Sequence, residues 1–85
     1  MIQPGQIRAA RALLGWRQED LSKASGVGTA TVRRIENTDS GATSYVSTLA
    51  RIQAAFEAAG IVFLDDDGSS GMGVRIARSK KSKRK

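Results

Sequence analysis

The sequence lacks both cysteine and histidine, and these absences remove several classes of function together. Without cysteine the chain forms no disulfide and no thiolate metal site, and without histidine it loses the usual general base near neutral pH. Ser-His and Cys-His catalysis are therefore excluded. Because no other residues are arranged for serine-lysine or carboxylate chemistry, we expect no enzymatic activity.

Two glycine-containing loops begin like ligand-binding motifs but lack the residues that complete them. A calcium loop starting at Asp65 needs a bidentate glutamate at position 76, where the sequence has Ile76. The pair Gly26 and Gly28 lacks the third glycine of a dinucleotide fingerprint, because Thr31 stands in its place. We therefore expect no metal and no cofactor.

Long hydrophobic runs are missing as well. Apolar residues make up 40% of the 85-residue chain, but no run approaches the roughly 18 residues needed to cross a bilayer. The N-terminus lacks the basic start and apolar middle of a secretory signal. A chain this short buries only about 60% of its unfolded surface, which supports a single core. We therefore expect one domain, located in the cytoplasm and not in a membrane.

Positive charge is concentrated at the C-terminal end of the chain. The formal net charge is +6, yet the seven basic residues from Arg75 to Lys85 leave a net charge of −1 for residues 1–74. We expect residues 78–85 to be a disordered basic tail, because they include no apolar residue. Such a tail can bind DNA phosphates, RNA or an anionic membrane surface, or can only aid solubility. Evidence for a nucleic-acid partner must therefore come from the rest of the chain.

Four segments have the apolar spacing of helices. The predicted helices are Pro4–Leu14, Gln18–Ser25, Thr29–Asn37 and Tyr45–Ala59. Pro4 suits a first helical position, whereas Gly15, Gly26 and Gly60 are placed to end helices. The residues expected to face inward are Ile7, Ala10, Leu14, Leu21, Ala24, Val32, Ile35, Val46, Leu49, Ile52, Phe56 and Ala59. We also expect Trp16, which lies between two helices, to belong to the core.

The pattern changes after the fourth predicted helix. Ile61–Leu64 is a short run of β-branched and aromatic residues that predicts a strand, and Val74–Ala77 is predicted to return beside it. Residues 61–77 would then form a C-terminal β element. Alternate residues of a strand face opposite sides, so Val62 and Leu64 lie on one apolar face and their neighbours on another. Because one small core covers only one face, we expect the second face to form a homodimer interface.

Residues 17–37 have the spacing of a helix-turn-helix motif. Ala24 is small where two helices cross, Gly26 takes a positive φ in the turn, and Val27 anchors the second helix. The exposed face of that second helix would meet base edges if the helix enters the major groove with its N-terminus first. The base-reading candidates are Thr29, Ala30, Arg33 and Arg34.

Over residues 4–64 the chain resembles the Xre, or lambda-repressor-like, family of bacterial and phage regulators. The matching motifs are Gln18-Glu19-Asp20-Leu21, Ser25-Gly26-Val27 and Thr31-Val32-Arg33-Arg34-Ile35-Glu36-Asn37. The resemblance implies a mainly α, compact fold of four to five helices, to which this sequence adds a short C-terminal β-strand or hairpin. It also implies a homodimer that binds a palindromic operator in double-stranded DNA. We therefore predict that residues 1–64 form the DNA-binding domain.

The resemblance also implies roles for single residues. Toward bases it places Thr29, Ala30 and Arg34. Toward backbone phosphates it places Gln18 and Asn37, and it makes Arg11 and Glu36 an ion pair between two helices. We add Arg17 to the phosphate-binding candidates, at a position where the family usually has a serine or threonine cap. Tyr45 is the last candidate, since its hydroxyl could reach a phosphate, although its ring could equally pack.

The predicted function is that of a dimeric transcriptional repressor or dual regulator associated with the nucleoid. In this setting the tail most economically adds sequence-independent phosphate affinity. One alternative is the antitoxin of a toxin-antitoxin pair, which would bind its own operator and a toxin partner. A second alternative is a non-DNA adaptor or RNA-binding protein that depends on the basic tail.

Overall fold

The computed structural model describes residues 2–37 and 46–77. Four helices precede a two-stranded antiparallel hairpin, which confirms the mainly α fold with a C-terminal β-hairpin. The elements are α1 (Pro4–Leu14), α2 (Gln18–Ser25), α3 (Thr29–Glu36), α4 (Val46–Ala58), β1 (Ile61–Leu64) and β2 (Gly73–Ile76). No helix within the described ranges is long and apolar enough to cross a membrane. The predictions for Tyr45 and for residues 78–85 lie outside the described residues.

The bounds of α1, α2 and β1 agree with the sequence prediction, and the other elements differ at their ends. Helix α3 stops at Glu36, with Asn37 as its C-cap, and α4 stops at Ala58. Strand β2 begins and ends one residue earlier than predicted. The register explains that shift, because the first and last residues of β1 pair with Ile76 and Gly73, respectively.

Glycine in the left-handed conformation ends both α1 and α2. Gly15 has φ 70° and Gly26 has φ 76°, a region that costs residues with a Cβ roughly 1–2 kcal/mol. The N–H of Gly26 donates to the carbonyl of Ser22 at 2.9 Å, which closes the last turn of α2. Both helices therefore end where the sequence predicts.

A single hydrophobic core joins the helices to the hairpin. Its largest fully buried side chains are Phe56, Ile7, Leu21, Ile35, Ile52 and Val32. The ring of Phe56 stacks on Trp16, with centroids 5.6 Å apart, and meets the ring of Phe63 edge-on at 6.0 Å. The prediction that Trp16 packs in the core is thus confirmed.

Two predicted core residues are exposed. Ala24 lies at the surface. Helix α2 has eight residues, and Leu21 is the one that it buries. Val46 is 65% exposed because it is the first residue of α4, one turn before Leu49, where the core stripe begins. Helical spacing therefore predicts more core residues than the structure buries at these two positions.

Gln6 fastens the hairpin to α1. Its side chain is buried, and its amide nitrogen donates to the carbonyls of Leu64 at 3.2 Å and Gly73 at 3.0 Å. The amide oxygen of Gln6 accepts the N–H of Gln3 at 2.8 Å. The paired residues Leu64 and Gly73 are thereby tied to the first turn of the first helix, which the sequence analysis did not anticipate.

Candidate nucleic-acid interface

The outward side of α3 collects the four residues predicted to read bases. Ala30, Arg33 and Arg34 are exposed and Thr29 is half-buried. At 3.6 residues per turn these four positions lie within an arc of about 140°. On the opposite side, Val32 and Ile35 are at most 1% exposed and hold the helix against the core. The structure therefore brings these candidates together on one accessible face.

The turn before α3 is shaped by Ser25 and two glycines. The hydroxyl of Ser25 donates to the carbonyl of Leu21 at 2.8 Å and accepts the N–H of Val27 at 3.1 Å. Gly26 supplies the left-handed residue, and Gly28 is the N-cap of α3, with its carbonyl accepting the N–H of Val32 at 3.0 Å. No side chain caps α3 at this end. These contacts fix the angle at which α3 leaves α2.

Glu36 connects the end of α3 to the two preceding helices. Its side chain is 2% exposed and its carboxylate accepts Arg11 Nε at 2.7 Å and Arg11 Nη2 at 2.8 Å. The same carboxylate accepts the amide nitrogen of Gln18 at 3.1 Å. Arg11 also donates to the carbonyl of Trp16 at 3.1 Å. The predicted ion pair is confirmed, and hydrogen bonding to Glu36 raises the pKa of Arg11 above its ordinary range.

A second arginine of α1 reaches the backbone of α3. The Arg8 guanidinium donates from Nη1 to the carbonyl of Glu36. A cation at the C-terminal end of a helix is favoured because the helix dipole places partial negative charge there. Sequence reasoning missed this contact, although Arg8 and Arg11 are three residues apart and therefore share one side of α1.

The predicted phosphate ligands at the start of α2 already have partners within the protein. The amide nitrogen of Gln18 donates to Glu36, and Arg17 Nη2 pairs with Asp20 Oδ1 at 3.3 Å. The Arg17 N–H also donates to Asp20 Oδ2 at 2.8 Å. Hydrogen bonds from the side chain and backbone of Arg17 lower the pKa of Asp20 below its usual range. This carboxylate offsets part of the positive charge that the 72% exposed Arg17 side chain offers.

Two further exposed polar side chains, Asn37 and Arg51, lie near the ends of α3. Asn37, the C-cap of α3, is exposed, as a phosphate ligand must be. Arg51, an exposed residue of α4, donates from Nη1 to the carbonyl of Gly26 at 3.5 Å. Sequence reasoning missed Arg51 because its partner lies 25 residues away and no local pattern links the two.

Comparison with known proteins bears on the part of the chain that holds this interface. Residues 7–44 match the family described as helix-turn-helix. The match extends from within α1 through α2 and α3, so it includes the ion pair and every described base-reading candidate. A search among curated proteins finds no match to the chain. The matched family is one of DNA-binding regulatory domains.

Proposed function

We propose that this chain is a sequence-specific regulator of transcription of the Xre, lambda-repressor-like type, because residues 7–44 match the helix-turn-helix family. It binds an operator in double-stranded DNA as a dimeric repressor, in the cytoplasm and at the nucleoid. The observation that carries this proposal is the exposed face of α3, held in place from behind by the buried carboxylate of Glu36.

Direct reading of sequence falls chiefly to the two arginines of α3. Arg34 and Arg33 are exposed in its last turn, and a guanidinium offers two donors that match O6 and N7 of guanine. Each such contact discriminates against the wrong base by about 1–3 kcal/mol. Thr29 and Ala30 have little hydrogen-bonding reach, so they contribute methyl contacts to thymine and contacts through water.

Contacts to the backbone position α3 without reading sequence. Gln18 and Asn37 serve this role from the two ends of the motif, with Arg17 beside Gln18 and Tyr45 before α4. Because residues 1–74 have a net charge of −1, the domain itself offers little long-range attraction for DNA. The basic tail, residues 78–85, supplies that attraction and with it most of the salt dependence of binding.

The proposed dimer rests on the hairpin. Its inner face includes Ile61, 3% exposed, whereas Val62 and Leu64 on the outer face are each 37% exposed. A second copy that covers this outer face buries apolar area and relates two α3 helices by a two-fold axis. A two-fold dimer then reads a palindrome whose half-sites lie about 10 base pairs, or one helical turn, apart.

Selection of bound duplexes from a random library tests the proposal. We expect enrichment of a palindromic sequence with two half-sites, whose binding weakens steeply as salt is raised. Recovery of sequences no different from the starting library would contradict sequence-specific recognition. Selective binding of RNA, lost when residues 79–85 are deleted, would favour the RNA-binding alternative.

The exposed hairpin face also suits the antitoxin alternative. Val62 and Leu64 offer an apolar surface that a toxin could cover in place of a second copy. Purification of the chain together with its neighbouring gene product distinguishes the two. A stoichiometric complex with a small toxin would favour the antitoxin, and a homodimer free of other proteins favours the repressor.

A further inference from the structure

A cleft of about 260 Å³ opens between α1 and the start of β2. Its lining residues are Gly5, Gln6, Ala9, Met72, Gly73 and Val74. Gln6 contributes no free polar group, because its amide bonds to Gln3, Leu64 and Gly73 within the protein. The glycine and alanine residues remove side-chain bulk from the floor. The cleft therefore suits an apolar side chain, with the Arg8 guanidinium beside it, where Nη2 lies 3.8 Å from the position of a Cβ on Gly5.

The cleft is continuous with the exposed face of the hairpin. A Cβ at Gly73 would lie 3.8 Å from Leu64 Cδ1, so the Leu64 side chain extends across the backbone that borders the cleft. Met72, 51% exposed, stands at the rim. Val62, Leu64 and the cleft thus form one largely apolar surface, which also holds the exposed Arg75 opposite Val62 and which we call the hairpin–α1 surface.

The hairpin alone is too small to hold a dimer. Two four-residue strands cover about 14 Å by 10 Å, whereas a stable interface buries about 800 Å² on each partner. A dimer that uses Val62 and Leu64 must therefore extend onto neighbouring elements. The adjacent apolar feature is the cleft beside α1.

Helix α1 carries an exposed leucine on the same side as the cleft. Gly5, Ala9 and Leu13 are spaced by four residues and share one stripe, which ends at Leu13 about 12 Å from Gly5. Leu13 is 47% exposed. Ala9 and Leu13 lie about 160° and 200° around the helix from Arg11, which is on the side that faces Glu36. An interface on this stripe therefore leaves the face of α3 accessible.

We propose that Leu13 of one copy fills the cleft between α1 and β2 of a second copy, and the second Leu13 fills the first cleft. The two α1 helices then cross in opposite directions, and Gly5 and Ala9 allow their backbones to approach. A projecting leucine and a receiving cleft on one stripe make the surface self-complementary, as a two-fold interface requires. This inference rests on the dimer of the proposed function and names the contact that forms it.

Sedimentation equilibrium of the full chain without DNA tests the contact, over concentrations that reach the high micromolar range. Leu13→Glu removes the projecting side chain, and Ala9→Phe fills the cleft from its own helix. We expect each to weaken self-association by at least about tenfold. Val46→Glu is the matched control, because Val46 is 65% exposed and lies on α4, away from the hairpin–α1 surface, and it should associate like wild type.

The outcomes separate this inference from the proposed function. Circular dichroism and thermal unfolding should show that Leu13→Glu is folded, since Leu13 already contacts solvent. If the wild type is a monomer throughout, or if Leu13→Glu and Ala9→Phe associate as tightly as Val46→Glu, the inference is overturned. Association lost in both variants supports it even if the wild type prefers no DNA sequence, and that absence of preference would contradict the proposed function alone.

Discussion

The carboxylate of Glu36 lies against the guanidinium of Arg11 in a two-point ion pair, with nitrogen–oxygen distances of 2.7 and 2.8 Å. The pair joins residues 25 positions apart and connects the first helix to the last residue of α3. Because both donors of the pair lie in one guanidinium plane, the contact fixes orientation as well as distance. It therefore sets how α3 projects from the domain.

Breaking this pair should destabilise the fold unequally. Arg11→Ala leaves Glu36, 2% exposed, without its cation, and we expect a loss of about 3 kcal/mol or more. Glu36→Ala should cost less, because the remaining Arg11 side chain is 21% exposed and can gain water. Denaturant unfolding measures both, with exposed Glu57→Ala as the control. Values within a few tenths of wild type for both variants would contradict a structural role for the pair.

Removal of the Gln6 amide should loosen the hairpin before the helices. Gln6→Leu leaves the carbonyls of Leu64 and Gly73 without their donor, at a cost of about 1–3 kcal/mol. Amide hydrogen exchange should accelerate in β1 and β2 more than in α4. Gln53→Leu, which removes an exposed bond from the Gln53 amide to Glu57 within α4, is the control and should change neither. Equal protection of the hairpin in both variants would show that Gln6 does not fasten it.

A pair of glycine substitutions isolates the conformational requirement of the turn. Gly26 has φ 76° and Gly28 has φ −59°, and an added Cβ meets nothing within 4 Å at either position. Gly26→Ala should therefore destabilise by roughly 1–2 kcal/mol from backbone strain alone. Gly28→Ala should change stability by less than about 1 kcal/mol, because the gain through the unfolded state is offset by the poorer fit of alanine at the N-cap. Equal unfolding free energies for the two variants would refute this distinction.

The acidic loop should lose order at low pH. Asp67 accepts the N–H groups of Ser70 and Ser69 at 2.7 and 2.9 Å, and these bonds lower its pKa below the ordinary value of 3.8. A lowered folded pKa means that the stabilisation is present above 3.8 and disappears as pH falls through the folded value. The Ser70 amide resonance should titrate with a midpoint below 3.8, and Asp67→Asn should abolish that transition. A midpoint at or above 3.8 would contradict the hydrogen-bonded loop.

Apolar spacing and glycine positions predict most of the helices and strands. They predict few of the hydrogen bonds between residues that are distant in the sequence. Apolar spacing and terminal glycines predict α1 and α2 to the residue, because both signals lie within a few positions of each helix end. The bonds of Gln6 reach across 58 and 67 residues, and nothing near Gln6 in the sequence indicates them. The prediction that Val46 lies in the core is wrong for a different reason. Its spacing suits the core stripe of α4, but it lies one turn before Leu49, the first buried residue of that helix.

In the candidate interface, too, sequence predicts some features and not others. The exposure of Arg33 and Arg34 follows from helical period once Val32 and Ile35 are buried. The link from Gln18 to Glu36 does not follow from period, because it depends on the angle between α2 and α3. Sequence therefore predicts which side chains face outward, whereas the structure is needed to show which of them already have partners.

Sequence-specific binding depends most directly on the arginines of α3. The decisive measurement is the ratio of affinities for the selected operator and for random DNA, at several salt concentrations. Four proteins are compared: wild type, Arg33→Ala, Arg34→Ala and a chain that ends at residue 78.

We expect Arg34→Ala, and to a smaller extent Arg33→Ala, to lower the ratio by an amount equivalent to about 1–3 kcal/mol. The shortened chain should lose affinity for both DNAs alike, with a flatter salt dependence and an unchanged ratio. Wild-type ratios in both arginine variants would contradict base reading by this face of α3.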